Sequence, residues 1–193
     1  LWGSNPFATN EEGILGIHLK NSLENGAPSL IVIDPLKTDV ASRADLWLQI
    51  KPGADDLLAI GMLNIIINEG IYDKSFVGEW TEGFEQLKEH VQAYPLDKIS
   101  AATWIPKEKI LKAARLYAES TPAVLHAGNS VENNGINTSQ ACRALICLMA
   151  VTGNLDIPGG NIQTMFPEVM SLRKFIGVDH FHGTKDESLK NYY

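Results

Sequence analysis

The sequence predicts an α/β fold, in which a mostly parallel, Rossmann-like three-layer sheet has helices on both faces. Apolar runs occur at residues 29–35 and 122–129, and such runs are typical of strands that are buried on both faces. Segments with helical periodicity separate these runs. Because strands that alternate with helices form mostly parallel sheets with right-handed crossovers, the order of the elements predicts this fold class.

The first part of the chain is predicted to contain a turn, a helix and two strands. The opening LWGSNPFATN has the composition of a turn that follows a strand, so we expect a further strand before Leu1 and a longer chain. Residues 11–26 are predicted as a helix, with acidic residues at its start and Gly26 at its end. The segments SLIVIDP, at residues 29–35, and ADLWLQI, at residues 44–50, are predicted strands.

The rest of the chain continues the alternation. Residues 55–69 are predicted as a largely buried helix, and residues 71–121 as a more polar helical layer. PAVLHAGN is a further predicted strand, and residues 137–153 form the last predicted helix, with Asn137 or Thr138 as its cap. The segment DIPGGN is predicted as a tight turn after this helix.

The composition fits one substantial domain and excludes two kinds of partner. Hydrophobic residues make up 45% of the chain, enough for a core over residues 1–163, whereas residues 164–193 have no sustained period and are predicted as a loop or linker. The formal charge is −7 without a Lys/Arg cluster, so nucleic acid is not an expected partner. No run of about 18 apolar residues offers a membrane segment. Cys142 and Cys147 point to different sides of one predicted helix and are predicted as structural thiols.

The loops that follow the strands are the candidate ligand site, because ligands of open α/β sheets bind beyond the carboxyl ends of the strands. Gly3 and Ser4 allow a backbone to approach a ligand closely, and Asn5 adds an amide that can donate and accept. A helix after this turn can direct its N–H groups at phosphate. This combination suits a nucleotide.

Two aspartates extend the candidate site, and each has a structural alternative. Asp34, at the end of a strand, is placed to accept hydrogen bonds from ribose hydroxyls, or it caps the turn before Pro35. Asp55 follows Pro52 and Gly53 and could accept two hydrogen bonds from the ring N–H and amino group of guanine, a pattern that adenine does not offer. Alternatively, Asp55 is a first-turn acid of the helix that begins there.

Five motifs occur in an order and at a spacing similar to those of one enzyme family. They are WGSNP, IDP with a Thr three residues after the Pro, RADLWLQIKPGAD, GIYDKSFVGEWTEGFEQL and VTGNLDIPGGN. Together, over residues 1–163, they resemble the catalytic subunit of molybdopterin oxidoreductases of the dimethyl sulfoxide reductase type. The resemblance implies two-electron redox or oxygen-atom transfer on a small-molecule substrate. The reaction would occur at molybdenum or tungsten held by two pyranopterin guanine dinucleotides, of which residues 1–163 would bind one.

The resemblance also implies which residues bind this cofactor. Residues 3–5 would contact the pyrophosphate, Asp34 the ribose, and Asp55 with Gly53 the guanine. Further residues would contact the nucleotide or lie near the pterins. The full predicted set is Trp2, Gly3, Ser4, Asn5, Pro6, Asp34, Lys37, Thr38, Gly53, Asp55, Gly128, Asn129, Glu132, Gly159, Gly160 and Asn161.

Other parts of the implied enzyme are expected outside this chain. The resemblance places the protein ligand of the metal and a 4Fe-4S cluster before Leu1, and it implies an electron-transfer subunit, an iron–sulfur protein, as a partner. No catalytic or metal-ligating residue is therefore predicted within residues 1–193, and the isolated chain is expected to be inactive.

Two departures from the family pattern change what is expected of the nucleotide contacts and of the substrate. The usual Asp-Pro-Arg has Leu36 in the third position, so an arginine contact to the nucleotide is lost or passes to Lys37. Formate dehydrogenases of this type place an arginine shortly after PGGN, where this chain has Thr164 and Met165, and this disfavours formate as the substrate. The motifs are nearer to the branch with thiosulfate and polysulfide reductases and acetylene hydratase.

Two alternatives stay open. An NAD(P)-binding Rossmann domain would need GxGxxG, and the opening turn offers only Gly3. A non-catalytic scaffold subunit of the same fold would be expected to show decayed cofactor loops, whereas WGSNP, Asp34, PGAD and PGGN are intact.

Overall fold

The computed structural model describes residues 1–9, 14–25, 28–133 and 135–162, which belong to a unit spanning Leu1–Ile162. Its helices are α1 Leu15–Glu24, α2 Asp39–Ser42, α3 Asp55–Asn68, α4 Lys74–Trp80, α5 Phe84–Val91, α6 Leu96–Thr103, α7 Lys107–Glu119, α8 Asn129–Asn133 and α9 Thr138–Val151, and its strands are β1 Ile31–Ile33 and β2 Leu46–Leu48. The linker predicted for residues 164–193 lies outside the described residues, so the domain boundary stays a prediction.

A small parallel sheet lies at the centre of this unit. β1 pairs in parallel with β2, with Ile31 opposite Leu46. On the other side of β1, residues 1–3 extend the ladder: Ile33 N–H donates to Leu1 O at 2.9 Å, and Gly3 N–H donates to Ile33 O at 2.8 Å. Trp2 in turn forms a parallel bridge with Ala127. The α/β class with a parallel sheet is therefore confirmed, as a helix-rich fold with short strands.

The predicted strands are too long. The run at residues 29–35 contributes only Ile31–Ile33, and the run at residues 44–50 contributes only Leu46–Leu48. The strand predicted at residues 122–129 is wrong as a regular strand, since only Ala127 forms a bridge within that segment.

Asparagine side chains explain how this irregular segment is held. Ala123 N–H donates to Asn154 Oδ1 at 2.9 Å. The amide of Asn161 then accepts from Leu125 N–H and donates to Leu125 O, both at 2.9 Å. These two side chains therefore satisfy backbone groups of Ala123 and Leu125 that a neighbouring strand would otherwise pair.

The sheet contributes to two apolar clusters. Val32 joins a cluster of Leu30, Val40 and Ala41, against which Leu19 and Leu23 of α1 pack. Neighbouring positions of the strands enter the larger cluster, which contains Ile33, Leu48 and most of α3. Alternation along a strand explains this division, because successive side chains point to opposite faces.

Helix α3 is the centre of the larger cluster and confirms the buried helix predicted at residues 55–69. Leu58, Leu63 and Ile66 are each at most 1% exposed, and each such side chain contributes about 1.5–3 kcal/mol by leaving water. Gly61 lets α6 approach α3, since a Cβ there would lie 2.7 Å from Ile99 Cγ2. Helices α4 to α7 occupy the region predicted as a helical layer.

The helix ends differ in detail from the predictions. α1 begins at Leu15, and the predicted acidic start and Gly26 lie outside the described residues. Asn137 occupies the N-cap position of α9 but makes no capping hydrogen bond with its side chain in the described structure. Its Nδ2 donates instead to Asp56 Oδ2 at 3.3 Å. No helix in the described part of the chain is long and apolar enough to cross a membrane.

Candidate functional site

A cleft with a volume of about 440 Å³ opens where the parallel segments end. Its walls come from the loops after residues 1–3, after β1, after β2 and after the bridge at Ala127. These loops are distant in sequence but converge, because the carboxyl ends of parallel strands share one edge of a sheet. The cleft is lined by these predicted site residues: Gly3, Ser4, Asn5, Asp34, Gly53, Asp55, Gly128 and Asn129.

Polar residues that the sequence prediction missed also line the cleft. They are Thr9, Ser130 and Asn133. Helix α8 places Asn129 and Asn133 one turn apart, so the spacing of these two asparagines is the signal that could have predicted the second from the first. The apolar and proline positions of the lining are Ile33, Pro35, Ile50 and Pro52.

Two glycines allow the first and last loops of the cleft to pack closely against each other. Gly3 has φ +58°, and a Cβ there would lie 2.3 Å from Ser130 Oγ, which donates a 2.7 Å hydrogen bond to Gly3 O. A Cβ on Gly128 would lie 2.2 Å from Gly3 O. The contact between the two loops accounts for both glycines, because a side chain at either position would force the loops apart.

Asn5 carries a polar atom that the fold leaves unsatisfied. Its Oδ1 is buried and has no hydrogen-bond partner among the described residues. Its backbone oxygen, in contrast, accepts from Ala8 N–H at 3.0 Å and Thr9 N–H at 3.1 Å, which fixes the turn. A buried acceptor without a donor costs about 1–3 kcal/mol. A ligand N–H or O–H in the cleft would remove this cost.

Asp34 both caps its turn and lines the cleft. One oxygen, Oδ1, accepts from Leu36 N–H at 2.7 Å, which is the hydrogen bond of an Asx-turn. The backbone oxygen of Asp34 accepts from Trp47 Nε1 at 3.0 Å. The side chain is half-buried, and a carboxylate keeps further acceptor positions for a ligand.

Asp55 is the first residue of α3 and also lines the cleft. Its Oδ1 accepts from Trp2 Nε1 at 2.8 Å. Burial raises the pKa of Asp55, the hydrogen bond from Trp2 partly opposes that rise, and the charge of Asp56 adds to it. Asp55 is therefore both a first-turn acid and a carboxylate that faces the cleft.

The described lining of the cleft contains no Lys, Arg or His side chain. Asp34 and Asp55 are its charged members, and the remaining polar groups are neutral amides and hydroxyls. In the described part of the chain, no group of three or more His, Cys, Asp or Glu residues is placed to hold a metal ion.

Several predicted site residues lie outside the lining. The buried ring of Trp2 is 2% exposed. Pro6 is buried, and a Cβ on Gly16 would lie 2.3 Å from Pro6 O. Thr38 caps α2, since its Oγ1 accepts from Ala41 N–H at 3.2 Å. Lys37 and Glu132 are exposed, and the ammonium of Lys37 lies 5.8 Å from the centre of the Trp47 ring.

The PGGN turn also lies outside the lining and supports the segment behind it. A Cβ on Gly159 would lie 2.8 Å from Pro122 Cγ, and one on Gly160 would lie 2.8 Å from Ile157 Cγ1. Asn161 holds Leu125 through two hydrogen bonds. These contacts explain the residue types at the turn, and a contact with a pterin stays a prediction.

Comparisons with known proteins support the resemblance that the motifs indicate. Acetylene hydratase from Syntrophotalea acetylenica is 45% identical over 136 residues, which are 70% of this chain and 18% of that protein. The F420-dependent formate dehydrogenase 2 subunit alpha of Methanococcus maripaludis is 36% identical over 168 residues, 86% of this chain and 24% of that subunit. The chain thus spans about a fifth of the length of the curated relatives it matches.

A solved structure and a family model agree with these relatives. The structure of acetylene hydratase from Pelobacter acetylenicus matches with a TM-score of 0.71 and 41% identity, over 77% of this chain and 20% of that one. The family model described as molybdopterin oxidoreductase matches residues 1–188. The resemblance seen in the motifs is therefore confirmed, and the chain belongs to the molybdopterin oxidoreductase family.

Proposed function

We propose that this domain binds the guanine nucleotide part of one pyranopterin guanine dinucleotide. Membership of the family implies a pterin cofactor that carries molybdenum or tungsten, and the guanine dinucleotide form is the further step. The observation that supports it is the placement of two aspartates and a buried, unsatisfied amide oxygen in one cleft at the carboxyl edge of the sheet.

The guanine would lie at Asp55 and Gly53. Gly53 has φ +78°, and a Cβ there would meet no described atom within 4 Å, so the position leaves open space for a planar ring. A carboxylate can accept from the ring N–H and from the amino group of guanine together. Adenine has an unprotonated ring nitrogen at the corresponding position. This nitrogen and the carboxylate are both acceptors, so they would repel each other.

The ribose and the diphosphate would follow along the cleft. Asp34 keeps acceptor positions for ribose hydroxyls beside the oxygen that caps its turn. Residues 3–5 would lie at the diphosphate, where the side-chain amide of Asn5 is a neutral donor. Because the described lining has no cation, phosphate would be held there by hydrogen bonds from amides and hydroxyls.

The remaining roles assigned by resemblance form part of the same proposal. Trp2, Pro6, Lys37 and Thr38 would support or approach the nucleotide. The residues that would approach the pterins are Gly128, Asn129, Glu132 and residues 159–161. The parallel sheet would belong to a three-layer, Rossmann-like arrangement in the whole protein. The apolar clusters on either side of β1 support this arrangement.

For the whole protein, we propose two-electron redox or oxygen-atom transfer on a small-molecule substrate, chemistry that the metal would supply when the cofactor is bound. A 4Fe-4S cluster and an iron–sulfur partner subunit belong to this proposal, and the name of the F420-dependent relative, a subunit alpha, supports a multi-subunit enzyme. The 193 residues alone would not turn over an oxo-substrate with a viologen dye. A scaffold subunit or an NAD(P)-binding domain finds no better support in these comparisons.

Calorimetric titration with GDP tests the nucleotide site through two neighbouring acids. The chain should bind GDP, and Asp55→Ala should weaken GDP binding at least tenfold, the loss expected for hydrogen bonds to a charged group. Asp56→Ala is the matched control, since Asp56 is the adjacent first-turn acid and is absent from the described lining. Equal GDP affinity in the two variants would overturn the assignment of the guanine to Asp55.

A further inference from the structure

Trp2 is one of the most deeply buried large side chains of the protein, and its indole N–H points at the candidate guanine site. The ring is 2% exposed, whereas Nε1 lies 2.8 Å from Asp55 Oδ1. A ring so buried is not placed to contact a ligand in the cleft, and Trp2 is not part of the described lining. Its indole N–H donates to the carboxylate of Asp55, which lines the cleft.

The sheet holds this N–H donor in place. Trp2 N–H donates to His126 O at 2.8 Å, and Trp2 O accepts from Gly128 N–H at 2.9 Å. On its other side, Trp2 forms a parallel bridge with Ile33. The backbone of Trp2 is therefore paired on both edges, and the position of its indole N–H is set by the central ladder rather than by a mobile loop.

A fixed donor matters because guanine recognition requires an oriented carboxylate. The two donors of guanine lie side by side in the plane of the base, so both carboxylate oxygens must lie near that plane. A carboxylate that is free to rotate loses rotational entropy when it binds, whereas one already held by a hydrogen bond has lost it on folding. A carboxylate has about four acceptor positions, so the hydrogen bonds from Trp2 and from the backbone N–H of Asp55 still leave positions for the base.

We propose that Trp2 is a positioning residue that orients the Asp55 carboxylate and thereby sets the preference of the cleft for guanine. This inference rests on the proposed nucleotide site, and it assigns the base preference to a pair of residues rather than to Asp55 alone. Trp2 acts through Asp55 and makes no contact with the nucleotide itself.

The first test needs no nucleotide. Burial raises the pKa of Asp55, and the hydrogen bond from Trp2 opposes this rise, so the NMR signal of the Trp2 indole N–H should shift with the titration of Asp55. Trp2→Phe should raise the pKa of Asp55 further. Trp47→Phe is the matched control, because Trp47 Nε1 donates to a main-chain oxygen, that of Asp34, at 3.0 Å. An unchanged pKa of Asp55 in Trp2→Phe would overturn the inference.

The second test measures base preference by calorimetry with GDP and IDP, which differ only in the 2-amino group. Trp2→Phe should weaken GDP binding by about tenfold and IDP binding less, so that the preference for GDP falls. Trp47→Phe should keep the ratio of the two affinities. If Trp2→Phe fails to fold, β-(3-benzothienyl)alanine at position 2 keeps the bicyclic ring shape and has a sulfur atom in place of the indole N–H, so the donor is lost.

The outcomes separate the two proposals. If the unaltered chain binds GDP and the position 2 variant keeps the same ratio of GDP to IDP affinity, the positioning role is wrong and the nucleotide site stands. If the unaltered chain prefers neither GDP nor IDP over ADP, the guanine site is wrong and the positioning role falls with it.

Discussion

At the scale of single residues, Asp55 lowers folding stability when it is ionised and also lines the candidate site. Burial raises the pKa of Asp55, so the folded chain holds its charge less readily than the unfolded chain does. As pH rises from the ordinary aspartate range through the raised pKa, ionisation of this group therefore reduces folding stability. Residues that weaken stability in this way are frequent at functional sites, and Asp55 lies in the cleft.

The raised pKa predicts a pH dependence of GDP binding. Guanine donors stabilise the carboxylate, so GDP affinity should fall as pH decreases through the raised pKa of Asp55, at a higher pH than an ordinary aspartate would give. Calorimetry between about pH 4 and about pH 7 would measure this. The weaker binding of Asp55→Asn should not show the same titration. A midpoint of the affinity curve at or below the ordinary aspartate pKa would contradict the prediction.

Asn161 gives a prediction about stability. Asn161→Ala removes both hydrogen bonds to Leu125 and should lower the free energy of unfolding by about 2 kcal/mol, because two partly buried backbone groups lose their partners. Urea unfolding would measure the change. Asn68→Ala removes an exposed amide bonded to Asn64 and Gln92, so it should change stability by less than about 0.5 kcal/mol. Equal effects of the two substitutions would contradict the stabilisation that we assign to the hydrogen bonds between Asn161 and Leu125.

At the scale of elements, the long periodic helices were the predictable part of the fold. α3 and α9 are 14 residues each, long enough for several repeats of the helical spacing. α2 and α8, with four and five residues, are too short to show a period, and the sequence prediction missed both. The strands predicted at residues 29–35 and 44–50 were at the right places but too long, and the strand predicted at residues 122–129 is only a single bridge at Ala127. An apolar run reports burial and does not report where backbone pairing stops.

The contact between α3 and α6 gives a prediction at this scale. Gly61→Ala should lower the free energy of unfolding by about 1–2 kcal/mol, since its Cβ would overlap the stiff, buried side chain of Ile99. Gly78→Ala in α4 is the control, because a Cβ there meets no described atom within 4 Å. It should raise stability by about 0.5–1 kcal/mol through helix propensity. Thermal and urea unfolding would measure both variants, and destabilisation by Gly78→Ala alone would contradict this account of the packing.

At the scale of the whole molecule, the candidate site exists only because four separate loops meet at one edge of the sheet. The rule for open α/β sheets, together with the motifs, predicted residues 3–5, Asp34, Gly53 and Asp55 as one group, and the cleft brings them together. The sequence did not reveal the hydrogen bond between Trp2 and Asp55, since it joins residues 53 positions apart. The sequence also did not reveal that Asn161 of PGGN holds the backbone at Leu125, because this contact depends on a side-chain amide rather than on a pattern.

The most direct test of the central claim is a crystal structure of the chain with GDP. The account predicts GDP in the cleft, with both oxygens of the Asp55 carboxylate accepting from guanine, the ribose hydroxyls at Asp34 and the diphosphate at residues 3–5. Asn5 Oδ1 should then accept from a ribose hydroxyl or from a water molecule, because the ionised diphosphate has no donor to offer it. GDP bound elsewhere, or bound in the cleft with its base away from Asp55, would contradict the account.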